Sequence, residues 1–159
     1  MSELEYVQDG IYAYDKDETI DQIAEILQSD TETHGFVKRI EIKQRFEMDS
    51  IKVLRSRGEV VACVDYNHPL DKRASTVYHL GIRKNHRGNG YREELVDRVL
   101  KESPYNLLMT KVPEEVDQNR FWKRVGEKWG EETGVKRRLN VYRVFPEKSD
   151  TDMTPVFQA

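Results

Sequence analysis

"YHLGIRKNHRGNGYREELVDRVL", residues 78–100, passes from an apolar, strand-like segment through a polar turn holding two glycines into an amphipathic helix. Leu95, Val99 and Leu100 recur at helical spacing after the turn. Gly88 and Gly90 permit a tight strand-to-helix turn. The same placement has a chemical consequence. A helix start leaves four backbone N–H groups without intrahelical partners and carries a partial positive charge, so it attracts anions. Glycine lets a phosphate approach that backbone closely, and Arg87 adds a charge-assisted donor. The stretch is not a G-x-G-x-x-G fingerprint, because Glu93 stands in its last position, and no Gly-Lys-Ser/Thr makes it a P-loop.

Working outward, "GIYAYD" (10–15) alternates like a short strand. "DETIDQIAEILQSD" (17–30) sets Ile20, Ile23, Ile26 and Leu27 on one helical face with Asp17 as its N-cap. Residues 33–49, with Phe36, Val37, Ile40 and Phe46, predict a second helix interrupted near Gly35. "IKVLRS" and "VVACVDY" around Gly58 read as a β-hairpin, and "TVYHLGIRK" (76–84) as the next strand. Ser103–Pro104 ends the helix that follows the glycines. Downstream come a strand over 105–112, a short helix over 117–126, and a stretch of turn residues closing on a strand from Leu139 to Phe145. Residues 146–159 are polar and unpatterned, the expectation being a mobile tail. The pattern predicts one α/β (α+β) domain over residues 1–145.

A chain of 159 residues is long enough to bury one proper core. No apolar run approaches the roughly 18 residues that span a bilayer. The start is acidic and lacks the regions of a signal peptide. Cys63 is the only cysteine, which excludes an intrachain disulfide and suits a reducing compartment, so a cytoplasmic location is expected. It lies in an apolar run, where a small buried residue fits better than a nucleophile. The net charge of −3 conceals an asymmetry: residues 1–34 hold ten Asp/Glu against Lys16 alone, whereas the remainder carries a positive excess. Solvated helix faces explain this, and so do an anionic ligand on the basic part and a cationic one near the acidic part. The four histidines show no metal-ligand spacing, so no metal is expected.

The strand, polar turn, R-x-x-G-x-G/A-like element and helix of residues 78–100 resemble the cofactor-binding segment of the GNAT family, the Gcn5-related N-acetyltransferases. "NRFWKRVG" (119–126) is similar to the family's downstream N-x-x-F-Y-x-x-x-G-F helix, and the order of flanking elements fits over roughly residues 10–145. The resemblance implies a mixed, largely antiparallel sheet with splayed central strands, and acetyl-CoA as co-substrate. Leu80, Gly81 and Ile82 would offer strand backbone to the pantetheine arm and thioester. Arg87, Gly88, Asn89, Gly90, Tyr91 and Arg92 would wrap the pyrophosphate. Asn119 would hydrogen-bond the cofactor arm, and Trp122 would stack against it.

Three positions depart from the family's pattern. Arg92 stands where a small residue is usual. Trp122 takes the place of the tyrosine that often serves as general acid, and indole cannot fill that role. Lys111 takes the place of a frequent catalytic glutamate. A base must reach the acceptor amine directly or through one water. Tyr78, expected to share a strand face with Leu80 and Ile82, and Glu114, just after the 105–112 strand, are the catalytic candidates. His79 is expected to point to the opposite face and to pack there.

The resemblance thus implies direct acetyl transfer to a primary amine of a small molecule or protein. The acidic segment, with Asp17, Glu18 and Asp21, favours a cationic acceptor. Loss of the usual acid and base motivates an alternative, an acetyl-CoA- or CoA-binding sensor or interaction protein without catalysis. Nucleic acid is disfavoured as a partner: Lys136, Arg137 and Arg138 cannot share one strand face, and the pI is about 5.9. No membrane partner is expected, and a homodimer is compatible with the sequence.

Overall fold

Central strands that are apolar on both faces need cover on both sides, and this chain supplies two helices to each. The computed structural model describes residues 14–29, 38–133 and 138–146, together with the backbone of 4–7. In chain order the elements are β1 (Leu4–Val7), α1 (Lys16–Ser29), α2 (Arg39–Glu47), β2 (Ile51–Ser56), β3 (Glu59–Asn67) and β4 (Ser75–Ile82), followed by a 3₁₀ turn, Lys84–His86. Then come α3 (Tyr91–Glu102), β5 (Leu108–Pro113), α4 (Asn119–Val125), β6 (Glu127–Thr133) and β7 (Arg138–Val144). The strands form one sheet in the order β1-β2-β3-β4-β5-β7-β6, in which only β4 and β5 run parallel.

Two apolar clusters sandwich the sheet. On one face Ile20, Ile23, Ala24, Ile26 and Leu27 of α1 and Ile42 and Phe46 of α2 pack on Ile51, Val53, Val60 and Cys63. On the other, Leu95, Val96, Val99 and Leu100 of α3 and Phe121 and Trp122 of α4 pack on Leu54, Val64, Leu80, Ile82, Leu108, Val112 and Tyr142. Cys63 is fully buried. The hairpin turn forms at Arg57 and Gly58, both at positive φ (54° and 82°), the geometry that matches strand twist in a two-residue connection. No helix among the described residues is long and apolar enough to cross a membrane.

Several expectations shift. The α1 N-cap is Asp15, whose Oδ1 accepts from the Glu18 N–H at 2.8 Å, and not Asp17, which lies in the first turn. The second helix is confined to Arg39–Glu47, with Ile42 and Phe46 inward and Ile40 exposed; Phe36, Val37 and the anticipated break at Gly35 lie outside the described residues. The strand expected over 10–15 lies mostly outside them too, and the first described strand is β1, antiparallel to β2. The sequence predicts turn residues at the centre of 127–145 and no strand where β6 lies. Its side chains are almost all exposed, so as an edge strand it has no apolar alternation to betray it. Residues 147–159 and Lys136 and Arg137 fall outside the described residues.

Candidate functional site

β4 and β5 pair over only three rungs, Ser75–Leu108, Thr76–Met109 and Val77–Thr110. Beyond them β4 stays with β3 as far as Ile82, while β5 follows β7 as far as Pro113, so the two strands part and open a gap at the middle of the sheet. The Thr110 hydroxyl donates to the Val77 carbonyl (2.9 Å) at the last rung. Past that point Gln118 takes the place of the missing ladder. Its Nε2 donates to the Leu80 carbonyl (2.8 Å) and its Oε1 accepts from the Trp122 indole N–H (2.9 Å). In an extended strand the N–H and C=O of one residue share an edge, so the Leu80 N–H faces the gap as well.

At the C-terminal end of β4 the glycine turn meets α3. Gly88 and Gly90 hold φ of 87° and 77°, and Gly90 is the left-handed N-cap, without a side-chain cap bond. A Cβ at either position would meet nothing within 4 Å, so conformation rather than space requires glycine here. The first helical bond runs from the Glu94 N–H to the Gly90 carbonyl (3.1 Å), which leaves the N–H groups of Tyr91, Arg92 and Glu93 ahead of the ladder. Ile82, Arg87, Gly88, Gly90, Tyr91 and Arg92 come together around a cavity of about 260 Å³, with Phe121 and Arg124 of α4. Asn89 is exposed on the turn and donates to the His86 carbonyl (3.0 Å). Glu93 and Glu94, which would repel an anion at a helix start, are engaged by Arg124 and Arg98. Open glycine backbone, leading N–H groups and the two turn arginines, Arg87 and Arg92, fit a pyrophosphate.

On the opposite face, with Arg45 of α2 at its border, a cavity of about 690 Å³ lies over the point where the strands part. Val77, Tyr78, His79, Met109 and Thr110 border it, with Arg45, Lys111, Trp129 and Arg143 among the other lining residues. A register shift in the β3–β4 pairing sets Asp65 opposite His79 and Tyr66 opposite Val77, so Tyr78 is the extra, bulged residue. His79 Nδ1 lies 2.9 Å from Asp65 Oδ2. Asp65 is 1% exposed and is also held by Arg45 through both carboxylate oxygens, at 2.7 and 2.6 Å. The Arg45 guanidinium sits over the Tyr78 ring, 4.9 Å from its centroid.

The bulge corrects the strand-face expectation. By simple alternation Tyr78 should accompany Leu80, but Leu80 is buried against α3 while Tyr78 is exposed on the cavity side. His79 borders the same cavity instead of merely packing. Trp122 is 0% exposed, so its ring offers no free face to a pantetheine arm. Asn119 is fully engaged within the fold: its amide group donates to the Pro113 and Val116 carbonyls (2.8 and 2.7 Å), and its Oδ1 accepts from Asn140 and Tyr142 (2.9 and 2.6 Å). Burial raises the Tyr142 pKa above its usual value. Glu114 is exposed near Arg138 and does not border the cavity. Asp17, Glu18 and Asp21 do not border it either, and Asp21 pairs with Arg39 at 2.6 Å.

Sequence reasoning missed Gln118, Asp65 and Arg45. Asp65 carried one signal, a lone acid inside the apolar run "VVACVDY".

No family model matches the chain, and no curated protein matches it. Solved structures do. An acetyltransferase of the GNAT family from Bacillus cereus superposes with a TM-score of 0.70 at 13% identity, over 91% of this chain and 99% of that one. Ard1 from Thermoplasma volcanium gives 0.73 at 13%, over 92% and 99%. The diaminobutyrate acetyltransferase EctA from Paenibacillus lautus, in complex with its substrate diaminobutyric acid and coenzyme A, gives 0.65 at 13%, over 94% and 99%. The chain has the GNAT fold, a mixed and mostly antiparallel sheet parted at its centre and flanked by helices.

Proposed function

We propose that the protein is an acetyl-CoA-dependent N-acetyltransferase that passes the acetyl group directly to a primary amine. One observation carries the reading: the gap between β4 and β5 has the glycine–arginine cradle at one face and the His79 cavity at the other. Acetyl-CoA lies with its pyrophosphate on the backbone of Arg87 to Arg92 and its thioester along Leu80, Gly81 and Ile82. The solved acetyltransferase with coenzyme A in the same fold supports this reading.

The acceptor amine enters from the His79 side. Its nitrogen lone pair attacks the thioester carbonyl carbon, and the π electrons move to oxygen, where the Leu80 N–H stabilises the developing charge. His79, oriented through Nδ1 by Asp65, takes the ammonium proton. Collapse of the tetrahedral intermediate breaks the C–S bond, the Tyr78 hydroxyl protonates the departing thiolate, and the proton held on His79 passes through water to the Tyr78 phenolate, giving N-acetylamine, CoA and the starting enzyme. Much of the acceleration comes from holding the two substrates together. His79 replaces Glu114 in this scheme, since Glu114 lies off the cavity wall.

Calorimetric titration with acetyl-CoA, repeated on Gly90→Glu, tests the reading. Micromolar binding abolished by the substitution supports it, and absence of binding by the wild type overturns it. Tight binding without thiol release against any amine would favour the alternative, a CoA-binding sensor, which the Lys111 and buried Trp122 substitutions motivate.

A further inference from the structure

The walls of the larger cavity carry an uneven charge. Arg45, Lys72, Arg73, Lys111 and Arg143 border it against a single carboxylate, Glu132. Three of the cations are answered within the fold: Arg45 by Asp65 (2.6 Å), Lys111 by Glu132 (3.0 Å), and Arg143 by Glu127. Lys72 and Arg73, exposed on the loop between β3 and β4, form no ion pair among the described residues. Arg143 also keeps a solvent-shielded Nε that has no hydrogen-bond partner among them. After internal pairing the described wall therefore retains two positive charges, those of Lys72 and Arg73. A partly enclosed site focuses such a field. A polyamine entering here meets like charge, whereas a carboxylate gains charge-assisted hydrogen bonds.

Resting on the transferase reading above, we propose that the acceptor is a small primary amine that itself bears a carboxylate. Lys72 and Arg73 hold the carboxylate while the amine lies at His79. His79 stands four residues beyond Ser75 along β4, roughly 10–13 Å at the usual strand rise with the bulge at Tyr78 allowed for. The long side chains shorten that span but do not erase it, so the two groups of the acceptor are separated by several bonds, as in an ω-amino acid or an amino dicarboxylate. A cavity of about 690 Å³ lies within the range of small-molecule sites. This class replaces the cationic acceptor suggested by the acidic N-terminal segment, whose Asp17, Glu18 and Asp21 lie off the wall.

The test has a binding arm and a turnover arm. Glutarate, a dicarboxylate without an amine, is titrated into the wild type and into the K72Q/R73Q variant. Saturable binding weakened at least about tenfold in the variant is expected, with acetyl-CoA affinity equal in both. In turnover, 5-aminopentanoate should exceed its amide in kcat/KM by at least about tenfold, an advantage lost in the variant through KM. Equal turnover of the amide or of spermidine overturns the assignment, as does a variant that binds glutarate as the wild type does. Acetyl-CoA binding without glutarate binding overturns this assignment alone. Absence of acetyl-CoA binding by the wild type overturns the transferase reading, and this assignment with it.

Discussion

His79 Nδ1 stands 2.9 Å from Asp65 Oδ2, and Arg45 grips the same buried carboxylate. Neither Asp65 nor Arg45 is near His79 in the chain. Asp65 comes from β3, Arg45 from α2, and the bulge at Tyr78 fixes which residue of β4 faces them. A carboxylate behind an imidazole sets its tautomer and orientation. His79→Ala should lower kcat by about 10²- to 10⁴-fold, the usual contribution of a positioned general base. Asp65→Asn should give a smaller fall with acetyl-CoA affinity unchanged. Steady-state rates across pH check this. A variant lacking His79 that keeps the wild-type kcat and pH profile would exclude its role.

Gln118 bridges Leu80 and Trp122 inside the gap. Gln118→Leu preserves bulk but strands the Leu80 carbonyl and the Trp122 N–H. At about 1–3 kcal/mol for each of the two buried groups left unsatisfied, the variant should lose roughly 2–6 kcal/mol in urea unfolding. A loss below about 0.5 kcal/mol would mean that water satisfies both groups in the folded protein.

Two glycines should fail for opposite reasons. Gly90→Ala has open space but φ of 77°, so left-handed strain of about 1–2 kcal/mol is expected. Gly126 has an ordinary extended backbone, φ −140°, but a Cβ there would press into the Arg143 carbonyl and the Val144 side chain. Gly126→Ala should cost about 1–3 kcal/mol by displacing β7 against α4. Gly90→Asn should recover part of the loss at that site, because asparagine tolerates left-handed backbone. Chemical denaturation of the three variants separates strain from crowding.

Glu47 links α2 to α1 through Lys16 (2.7 Å) and bonds Lys43 within its own helix (2.8 Å). Hydrogen bonds from Lys16 and Lys43 lower its pKa from 4.5 to about 2. A depressed folded-state pKa contributes stability that is complete above the unfolded value and is lost as pH falls towards the folded one. Stability should therefore decline between about pH 4.5 and 2 through this group, and Glu47→Gln should flatten that part of the acid limb. The group is solvent-exposed, so the difference should shrink at high salt. Identical acid limbs for the two proteins would contradict the assignment.

The helix periodicities of Ile20 to Leu27 and Leu95 to Leu100, the hairpin at Gly58 and the glycine turn at residues 88–90 could all be read from the chain, because each is set by neighbours a few residues apart. Those elements, taken with the motif of residues 78–100, point to the fold. The edge strand β6 could not be read, since exposed residues leave no hydrophobic period. The cradle half of the site was legible for the same local reason: its residues are contiguous.

The other half was not. A period of two places His79 opposite Leu80 and Ile82, where it lies, but puts Tyr78 on the Leu80 face; one bulge, visible only in the pairing of β3 with β4, moves Tyr78 to the cavity side. Asn119 and Trp122 sit at motif positions, yet their side chains are taken up by β7 and by Gln118, contacts that no spacing rule contains. The acidic helix face of α1 dominated the charge count but borders no part of the cavity. Sequence alone determined most of the helices and strands and the glycine turn at residues 88–90, because short-range sterics and periodicity decide them. The tertiary structure alone decided which charges and which imidazole share the cavity, because burial and partnership between residues distant in the chain exist only once the sheet and helices have packed.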